Sequence, residues 1–453
     1  MSSLKQYIEL YLSHRDTINA GSTEVMNRLR PQALARLEHA RLPRRGDEGH
    51  DAVDVEAVME PDYGVNISRM DLRVDPSLSF HCHVPNLSTL MGIVANDTFH
   101  PSATLGANLP EGVTFASLRK TADTDPELVG KVYGQIAPIS DPCVALNTLL
   151  AQDGVWIRIA RGVRLEKPLQ LVNIFSALTD IMAVRRIVIT VEEGASARIL
   201  VCDHTQDNER RYLSSQVVEI DLAQGASLEY CDLEESTALT SRISQIYVRQ
   251  REGSELRINS SALSGGTTRN ELHVDLSGQN ASAMLSGMAI ASGTRIIDNA
   301  TDVVHSAPRC HSNQLFKYVL DGQSRGGFEG CIKVCPGAYL TEAYQSNRNI
   351  VAATTAKMHS QPALEIYNDD VKCSHGASTG QLDSDALFYM RSRGIPEAEA
   401  KVMLMQAFMV DVIDTVRIDG LRDRLRHLVD MRFSGHEVTC RSCDAAAGVN
   451  NIQ

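Results

Sequence analysis

The apolar positions of this chain change their period twice, and each change marks a different kind of structure. From Leu4 to about Leu42 the spacing is helical. Leu4, Tyr7, Ile8, Tyr11 and Leu12 follow the i, i+3, i+4, i+7, i+8 rule of a buried stripe. Ser22 or Thr23 can cap a second helix carrying Met26, Leu29, Leu34 and Leu37, which Pro31 kinks or breaks. Pro43 ends the region, and residues 43–51 (PRRGDEGHD) form a charged, exposed connection. Residues 52–152 mix short strands and helices with turn signals such as Pro61-Asp62-Tyr63-Gly64.

After Gly154 the period falls to two and stays there for most of the chain. Runs such as WIRIARG, RIVITVEEGASARILV, VVEIDLAQGASLEY, QIYVRQREGSELRI and ELHVDLSGQNASAML each join two alternating segments through a glycine turn. The turn glycines Gly162, Gly194, Gly225, Gly253 and Gly278 lie 32, 31, 28 and 25 residues apart. Self-similarity at this period predicts stacked β units, none of which buries its apolar face alone. Few helical patterns interrupt the run, which disfavours an α/β fold. Among a sandwich, a propeller and a parallel β-helix, the last fits best, with two winds to each repeat; propeller blades are longer, at ~40–50 residues.

The alternation ends at Leu364–Tyr367, and helical spacing returns. Asp383 is an N-cap, Gly394 a C-terminal stop and Pro396 an early residue of the next helix. That helix carries Val402, Met405, Met409, Val412 and Val416 on one stripe, with Glu397 and Lys401 paired at i, i+4. A third helix, Leu421 to about Phe433, places Leu421, Leu425 and Leu428 inside and Arg422, Arg424, Arg426 and Arg432 outside. The resulting division is a helical and mixed region at 1–152, a β core at 153–375 and a helical region with a polar tail at 376–453. The fold class is mainly β.

Composition narrows the function. The chain has 453 residues, of which 43% are hydrophobic, enough for a substantial core. Lys and Arg total 44 against 56 for Asp and Glu, a net charge of −12, which argues against nucleic acid as a partner. No apolar run approaches the ~18 residues of a membrane span, and the N-terminus lacks a signal-type apolar core. The ten cysteines are read as reduced thiols of a cytoplasmic protein. Gly130-Lys131 is followed by Val132 where a phosphate-cradling loop needs Ser or Thr. The chain shows no recognisable ATPase, hydrolase or protease equipment.

Soft-metal chemistry remains. His305, His311, His359 and His375 lie in one stretch with Cys310, Cys331, Cys335 and Cys373, and thiolate and imidazole suit zinc, copper(I) and iron–sulfur units. Cys310, Cys331 and Cys335 read better as small packing residues of a β stack. Cys373 and His375 differ. Two apart, they share one side of an extended chain, with Asp369 and Asp370 before them and Gly376 and Gly380 after. Those two acids serve equally well as turn residues. His81, Cys82 and His83 would need a sharp bend to meet at one metal, and Cys440 with Cys443 has zinc-like spacing but lacks a second pair.

The run from Leu364 to Ile395, LEIYNDDVKCSHGASTGQLDSDALFYMRSRGI, resembles the C-terminal signature of the SufB/SufD family of iron–sulfur cluster assembly proteins, its SufD branch in particular. SufB-like sequences tend to carry a glutamate-rich version of this segment and a further cysteine upstream. Weaker likeness extends through QSNRNIVAATTAK (Gln345–Lys357), WIRIARGVRLEKPLQLV and PDYGVN (Pro61–Asn66). Two departures stand out: Arg41-Leu42-Pro43-Arg44-Arg45-Gly46 replaces a Gly-Leu-Pro-Thr type of segment, and Ser378-Thr379 replaces a commoner Thr-Val pair.

The resemblance implies a central right-handed parallel β-helix between helical regions. It also implies a non-enzymatic scaffold that pairs with SufB, or with itself as a homodimer, through the β-helices. His375, with Cys373 beside it, would then belong to a shared assembly site at which iron or a transient cluster meets the subunit interface, with Asp369 and Asp370 as weaker contributors. The C-terminal helices, through Phe388, Tyr389, Arg391, Arg393, Met405, Phe408 and Met409, would dock the SufC ATPase. No tightly held cofactor is implied for the isolated chain, and whether a flavin binds stays open. A partner-independent metal or redox protein and a β-helix carbohydrate-active enzyme are the competing readings.

Overall fold

The computed structural model describes residues 3–70, 87–101, 105–205 and 208–435. Its first helices are α1 (Ser3–Ala20), α2 (Glu24–Asn27), α3 (Arg30–Glu38) and α4 (Val55–Met59). Leu4, Tyr7, Tyr11 and Ile18 bury one stripe of α1, while Leu12 turns to solvent. Pro31 sits in the first turn of α3, where its missing N–H has no helical partner to lose. It starts that helix instead of kinking one. The candidate ligands His81, Cys82 and His83, and likewise Cys440 and Cys443, lie outside the described residues.

Short elements follow: β1 (Leu90–Ala95), β2 (Thr98–Pro101), α5 (Leu105–Asn108), β3 (Val113–Ser117), α6 (Leu118–Thr124), α7 (Pro126–Gly130) and α8 (Pro142–Leu150). The chain then winds into a parallel solenoid of about seven turns. Its first sheet takes β5 (Leu169–Phe175), β7 (Ser196–Thr205), β9 (Ser227–Glu235), β11 (Glu255–Ala262), β13 (Ser282–Ala291), β15 (His311–Leu320), β17 (Thr341–Val351) and β19 (Val371–Gly380). Its second takes β4 (Val155–Ile159), β6 (Ile181–Val191), β8 (Tyr212–Leu222), β10 (Thr240–Gln250), β12 (Thr267–Leu276), β14 (Ile296–His305), β16 (Arg325–Val334) and β18 (Lys357–Ile366). Each repeat is therefore one coil with one long strand per sheet. The two winds per repeat expected from the sequence do not occur. Register gives the repeat length directly: Ile181 pairs with Tyr212, 31 residues on, and Ser241 with Thr267, 26 residues on.

One column of turns explains the glycine period. Gly162, Gly194, Gly225 and Gly253 have φ of 71°, 66°, 64° and 62°, the left-handed region that glycine enters without a Cβ clash. The N–H of each donates to a carbonyl in the next coil: Gly162 to Glu193, Gly194 to Gln224, Gly225 to Glu252 and Gly253 to Gln279. The column continues through Asn280, Arg309 and Leu340, also left-handed, whose N–H groups reach Pro308, Tyr339 and Asp370. Gly278 is not the fifth member, because Asn280 holds that place.

Inside the coils, Ile187, Val218, Ile246, Ile258 and Leu285 belong to one continuous apolar core. Alternation sends the intervening side chains outward, and two further clusters cover them. On the second sheet, Trp156, Met182, Val184, Val188, Leu213 and Ile243 pack under α1, α3 and α8. Glu219 fastens this layer: its carboxylate accepts from Arg186 at 2.5 Å and from the N–H groups of Gly134, Ile136 and Ala137. On the first sheet, Leu200, Cys202, Leu233, Met288 and Val319 pack under the C-terminal helices α10 (Glu397–Ile413) and α11 (Asp419–Phe433), which follow α9 (Ser384–Ser392). Arg424 and Arg432 of α11, expected outside, reach inward to Glu235 and to the Ile290 carbonyl. Among the described residues no helix is long and apolar enough to cross a membrane.

Two measurements test this packing. Glu219→Ala removes the acceptor of one Arg186 guanidinium nitrogen and of three N–H groups, leaving Arg186 only its bonds to Asn147 and Thr148, and a loss of about 3–5 kcal/mol in chemical denaturation is expected. His273, on the outer face of the second sheet, stacks on Tyr247 and faces Glu271, Asp302 and, beyond Glu271, His50. Burial opposes its protonation, but Asp302 and Glu271, each 3.7 Å from a ring nitrogen, outweigh it and hold its pKa raised to about 9 from 6.5. A raised folded-state pKa stabilises fully below pH 6.5 and fades as pH climbs through about 9. The stability advantage over His273→Gln should therefore shrink between those limits, by on the order of 2–3 kcal/mol.

Candidate functional site

The solenoid's two ends are built differently. At the first end the sheets close with antiparallel strands, β2 on β1 and β3 on β4. At the last, β18 and β19 are the outermost strands of their sheets, and among the described residues nothing pairs with their free edges. Cys373 and His375 lie in β19, whose register sets Cys373 beside Ala343 and His375 beside Gln345. Both residues of β17 are buried in the stack interior. The two candidate donors thus stand on the face that would be interior if another coil followed.

Cys373 is half-buried against Ile332, Val334, Ala343 and Leu364, and burial pushes its thiol pKa up. His375 is exposed. Under its position runs a polar ladder: Gln345 reaches Gln314 at 3.3 Å, and Thr301 donates to Gln314 at 2.7 Å. Ser360 of β18 and Asn349 both donate to Asn347, and Asn349 to Thr379, closing the interior beside it. Asp369 and Asp370 occupy the turn entering β19, where the carbonyl of Asp370 takes the Leu340 N–H, and their carboxylates are exposed.

The other sequence candidates are dispersed. His305 is interior and bonded to Ser312; burial lowers its pKa to about 4. His311 lies outside near Glu342 and Tyr344, and His359 on the outer face of the second sheet near Glu329. Cys310 is buried with its thiol towards the Gly278 carbonyl. Cys331 faces outward from the second sheet, half-buried, its pKa pushed to about 11 by burial and by Asp302. Among the described residues no group of three or more His, Cys, Asp or Glu side chains converges as a metal site. Gly376-Ala377-Ser378-Thr379-Gly380 does spell the Gly-x-Ser-x-Gly pattern, against the expectation of no hydrolase motif. It runs straight through β19, with no strand-to-helix turn to raise Ser378 as a nucleophile.

The helices after β19 divide into an anchored part and an overhanging part. Asp383 caps α9 by accepting from the N–H groups of Asp385 and Ala386, yet no residue of α9 is buried. Phe388 is 74% and Tyr389 58% exposed, with Arg393 stacked over the tyrosine ring; Arg391 pairs with Glu397 at 3.3 Å. Further along, Met409 is fully buried against the solenoid, and Met405 and Phe408 pack on the same cluster. Of the seven helical residues proposed for docking, Met409 therefore faces this chain's own first sheet. Lys317 of β15, 3% exposed, locks that end by donating to the Phe408 carbonyl and to Asp411. Sequence reading missed Lys317, although the adjoining apolar Leu315, Phe316, Tyr318 and Val319 break the alternation and signal a strand covered on both faces.

Residues 174–408 match the model of the SufBD core domain of the SUF system for FeS cluster assembly, and residues 1–171 match that of the SufBD protein N-terminal region. The chain belongs to the SufBD family. A SufBD family iron–sulfur cluster assembly protein of Synechocystis is 26% identical over 431 residues, 93% of this chain and 94% of the relative. The iron–sulfur cluster assembly protein SufD of Escherichia coli is 30% identical over 294 residues, 64% of this chain and 69% of the relative. The chloroplastic protein ABCI7 of Arabidopsis thaliana is 26% identical over 435 residues, covering 93% and 90%. Among the described residues, the open edge and the overhanging helix are surfaces left without cover. Met409→Ala should cost about 2–5 kcal/mol in stability by opening a cavity. Phe388→Ala, on the overhang, should change it by no more than about 0.5 kcal/mol in the same denaturation experiment.

Proposed function

We propose that this chain is a SufD-type, non-catalytic scaffold subunit whose open solenoid end joins a SufB-like β-solenoid, or a second copy of itself. The observation that carries this reading is the pair of unpaired edge strands, with His375 and Cys373 on their would-be interior face. A long uncapped edge invites strand pairing, and its exposure here is left unblunted by proline or bulge on β19. Exposed apolar residues reinforce it. Of the twelve large hydrophobic side chains left exposed among the described residues, Tyr339, Leu340, Ile366 and Tyr367 cluster at the last coil, and Phe388, Tyr389, Met403 and Val410 on α9 and α10.

The second zone fits a SufC-like ATPase, with Phe388, Tyr389, Arg391 and Arg393 as its docking residues. Nucleotide-driven movement of that partner would pass along α10 to the Lys317 lock and so to the stack. Iron or a nascent cluster is cargo: His375 supplies an imidazole and Cys373 a thiolate, and the facing chain completes the donor set. Two donors on one chain leave a tetrahedral metal under-coordinated, which disfavours a partner-independent metal protein. A reducing compartment such as the cytoplasm suits the unpaired thiols.

The test is co-expression with SufB-like and SufC-like subunits. His375→Ala should co-purify in full stoichiometry and lose most cluster formation, read by visible absorbance and iron content. Phe388→Ala with Tyr389→Ala should instead release the ATPase. Unchanged cluster formation by the His375 variant would remove that residue from the site.

A further inference from the structure

A cavity of about 160 Å³ lies on the outer face of the first sheet, where the α10–α11 connection approaches it. Three successive coils set Arg198, Glu229 and Arg257 side by side in register, and Arg417 enters from the connection. The Arg417 backbone N–H donates to one oxygen of Glu229 at 2.6 Å. Glu229 is 6% exposed, and its other oxygen has no hydrogen-bond partner among the described residues. Arg198 turns one nitrogen to the Glu166 carbonyl. The guanidiniums of Arg257 and Arg417 have neither an ion pair nor a hydrogen bond among the described residues, and Glu255 stands at the rim.

An Arg–Glu–Arg column would ordinarily be a surface ion-pair ladder. Here no guanidinium nitrogen of the three arginines comes within ion-pair distance of Glu229, so the ladder is not made. What stands between them is space. Burial raises the pKa of Glu229 against the pull of the Arg417 N–H and of Arg198, Arg417 and Arg257, and burial together with the nearby Arg417 lowers that of Arg257. The missing counterpart must accept hydrogen bonds from two or three guanidiniums and donate one to a buried carboxylate oxygen. Planar forked guanidiniums suit a tetrahedral oxyanion. The donor requirement selects an oxyanion that keeps a proton at neutral pH. Inorganic phosphate satisfies both conditions; a monoester, whose second pKa is about 6, satisfies the second only in its minor protonated form, and sulfate satisfies only the first.

We propose that this cavity is a binding site for a protonated phosphate group, held by Arg257 and Arg417 with Arg198, and that Glu229 excludes unprotonated anions by accepting the phosphate O–H. Its occupant bridges the solenoid and the α10–α11 connection, so binding fastens the C-terminal helices to the stack. The proposal does not depend on the cluster-assembly reading.

The test is calorimetric titration of the full chain at neutral pH with inorganic phosphate, methyl phosphate and sulfate. Saturable phosphate binding with Kd of about 1 mM or tighter is expected. Sulfate should bind wild type at least about tenfold more weakly, and Arg257→Ala and Arg417→Ala should each weaken phosphate about tenfold. Glu229→Gln, which keeps the shape and gains a donor, should admit sulfate as well as phosphate. Methyl phosphate binding as tightly as inorganic phosphate identifies a monoester ligand, and its rejection identifies the free ion; both support the site. Absence of saturation, or arginine variants indistinguishable from wild type with unchanged melting curves, overturns it. Equal affinity of wild type for sulfate and phosphate removes the role of Glu229 and leaves a nonspecific basic patch.

Discussion

A parallel stack of coils satisfies its main-chain hydrogen bonds only by adding another coil, so its ends are the problem the rest of the molecule must answer. Within the stack, each strand finds partners on both sides, and each left-handed turn passes one N–H to the next coil, from Gly162 through to Leu340. At the first end β2 and β3 reverse direction and close the sheets, β2 being only four residues long and ending in Pro101. At the last end nothing among the described residues closes the sheets in this way. β18 and β19, ten residues each, leave their outer edges unpaired among the described residues, β18 with Pro362 as its one residue lacking an N–H and β19 without any proline. The asymmetry places exposed main chain, exposed apolar side chains and the Cys373–His375 pair at one location.

The outer faces obey the same logic of cover. A flattened two-sheet coil has an interior that it fills itself and two exteriors that it cannot. The N-terminal helices take one and the C-terminal helices the other, and each is fixed by a buried charge set into an apolar field. Glu219 gathers Arg186 and three backbone donors on the second sheet, while Lys317 and the Glu235–Arg424 pair hold α10 and α11 on the first. A buried charge of this kind is costly unless its partners are in place, so each acts as a registration point more than as glue. Because Lys317 grips α10 near its C-terminal end, α9 and the first turns of α10 project from a fixed root.

Period-two alternation and the turn glycines made the solenoid legible, because one face of every strand is apolar and the left-handed turn demands glycine in its first four coils. The glycine signal then failed at Gly278. From the fifth coil onward Asn280, Arg309 and Leu340 occupy the left-handed position, and a sequence scan for glycine loses the column. Coil size was misread for a related reason: strands of ten or eleven residues, covered on both faces, contain continuous apolar runs such as Ile199–Cys202 that look like two short strands. Arg424 shows the limit of helical patterning, since a charged residue on the polar side of α11 finds Glu235 rather than water. The Cys373–His375 spacing was readable as two donors on one face. Which face could not be read, because it depends on pairing with Ala343 and Gln345 of the previous coil.

That face decides what the site can do. Had Cys373 and His375 pointed outward, they would form a solvated pair on a finished surface, complete or incomplete by themselves. Pointing into the open mouth, they line a space that no described strand of this chain closes on its far side. A thiol with its pKa raised by partial burial binds metal weakly until a metal or a cation displaces its proton. On the proposed reading, a half-site of this composition would capture cargo only where a second wall brings further donors and excludes water, and would lose the cargo when that wall moves. Retention would then track how the two walls sit against each other, which is the property a carrier that must also release requires.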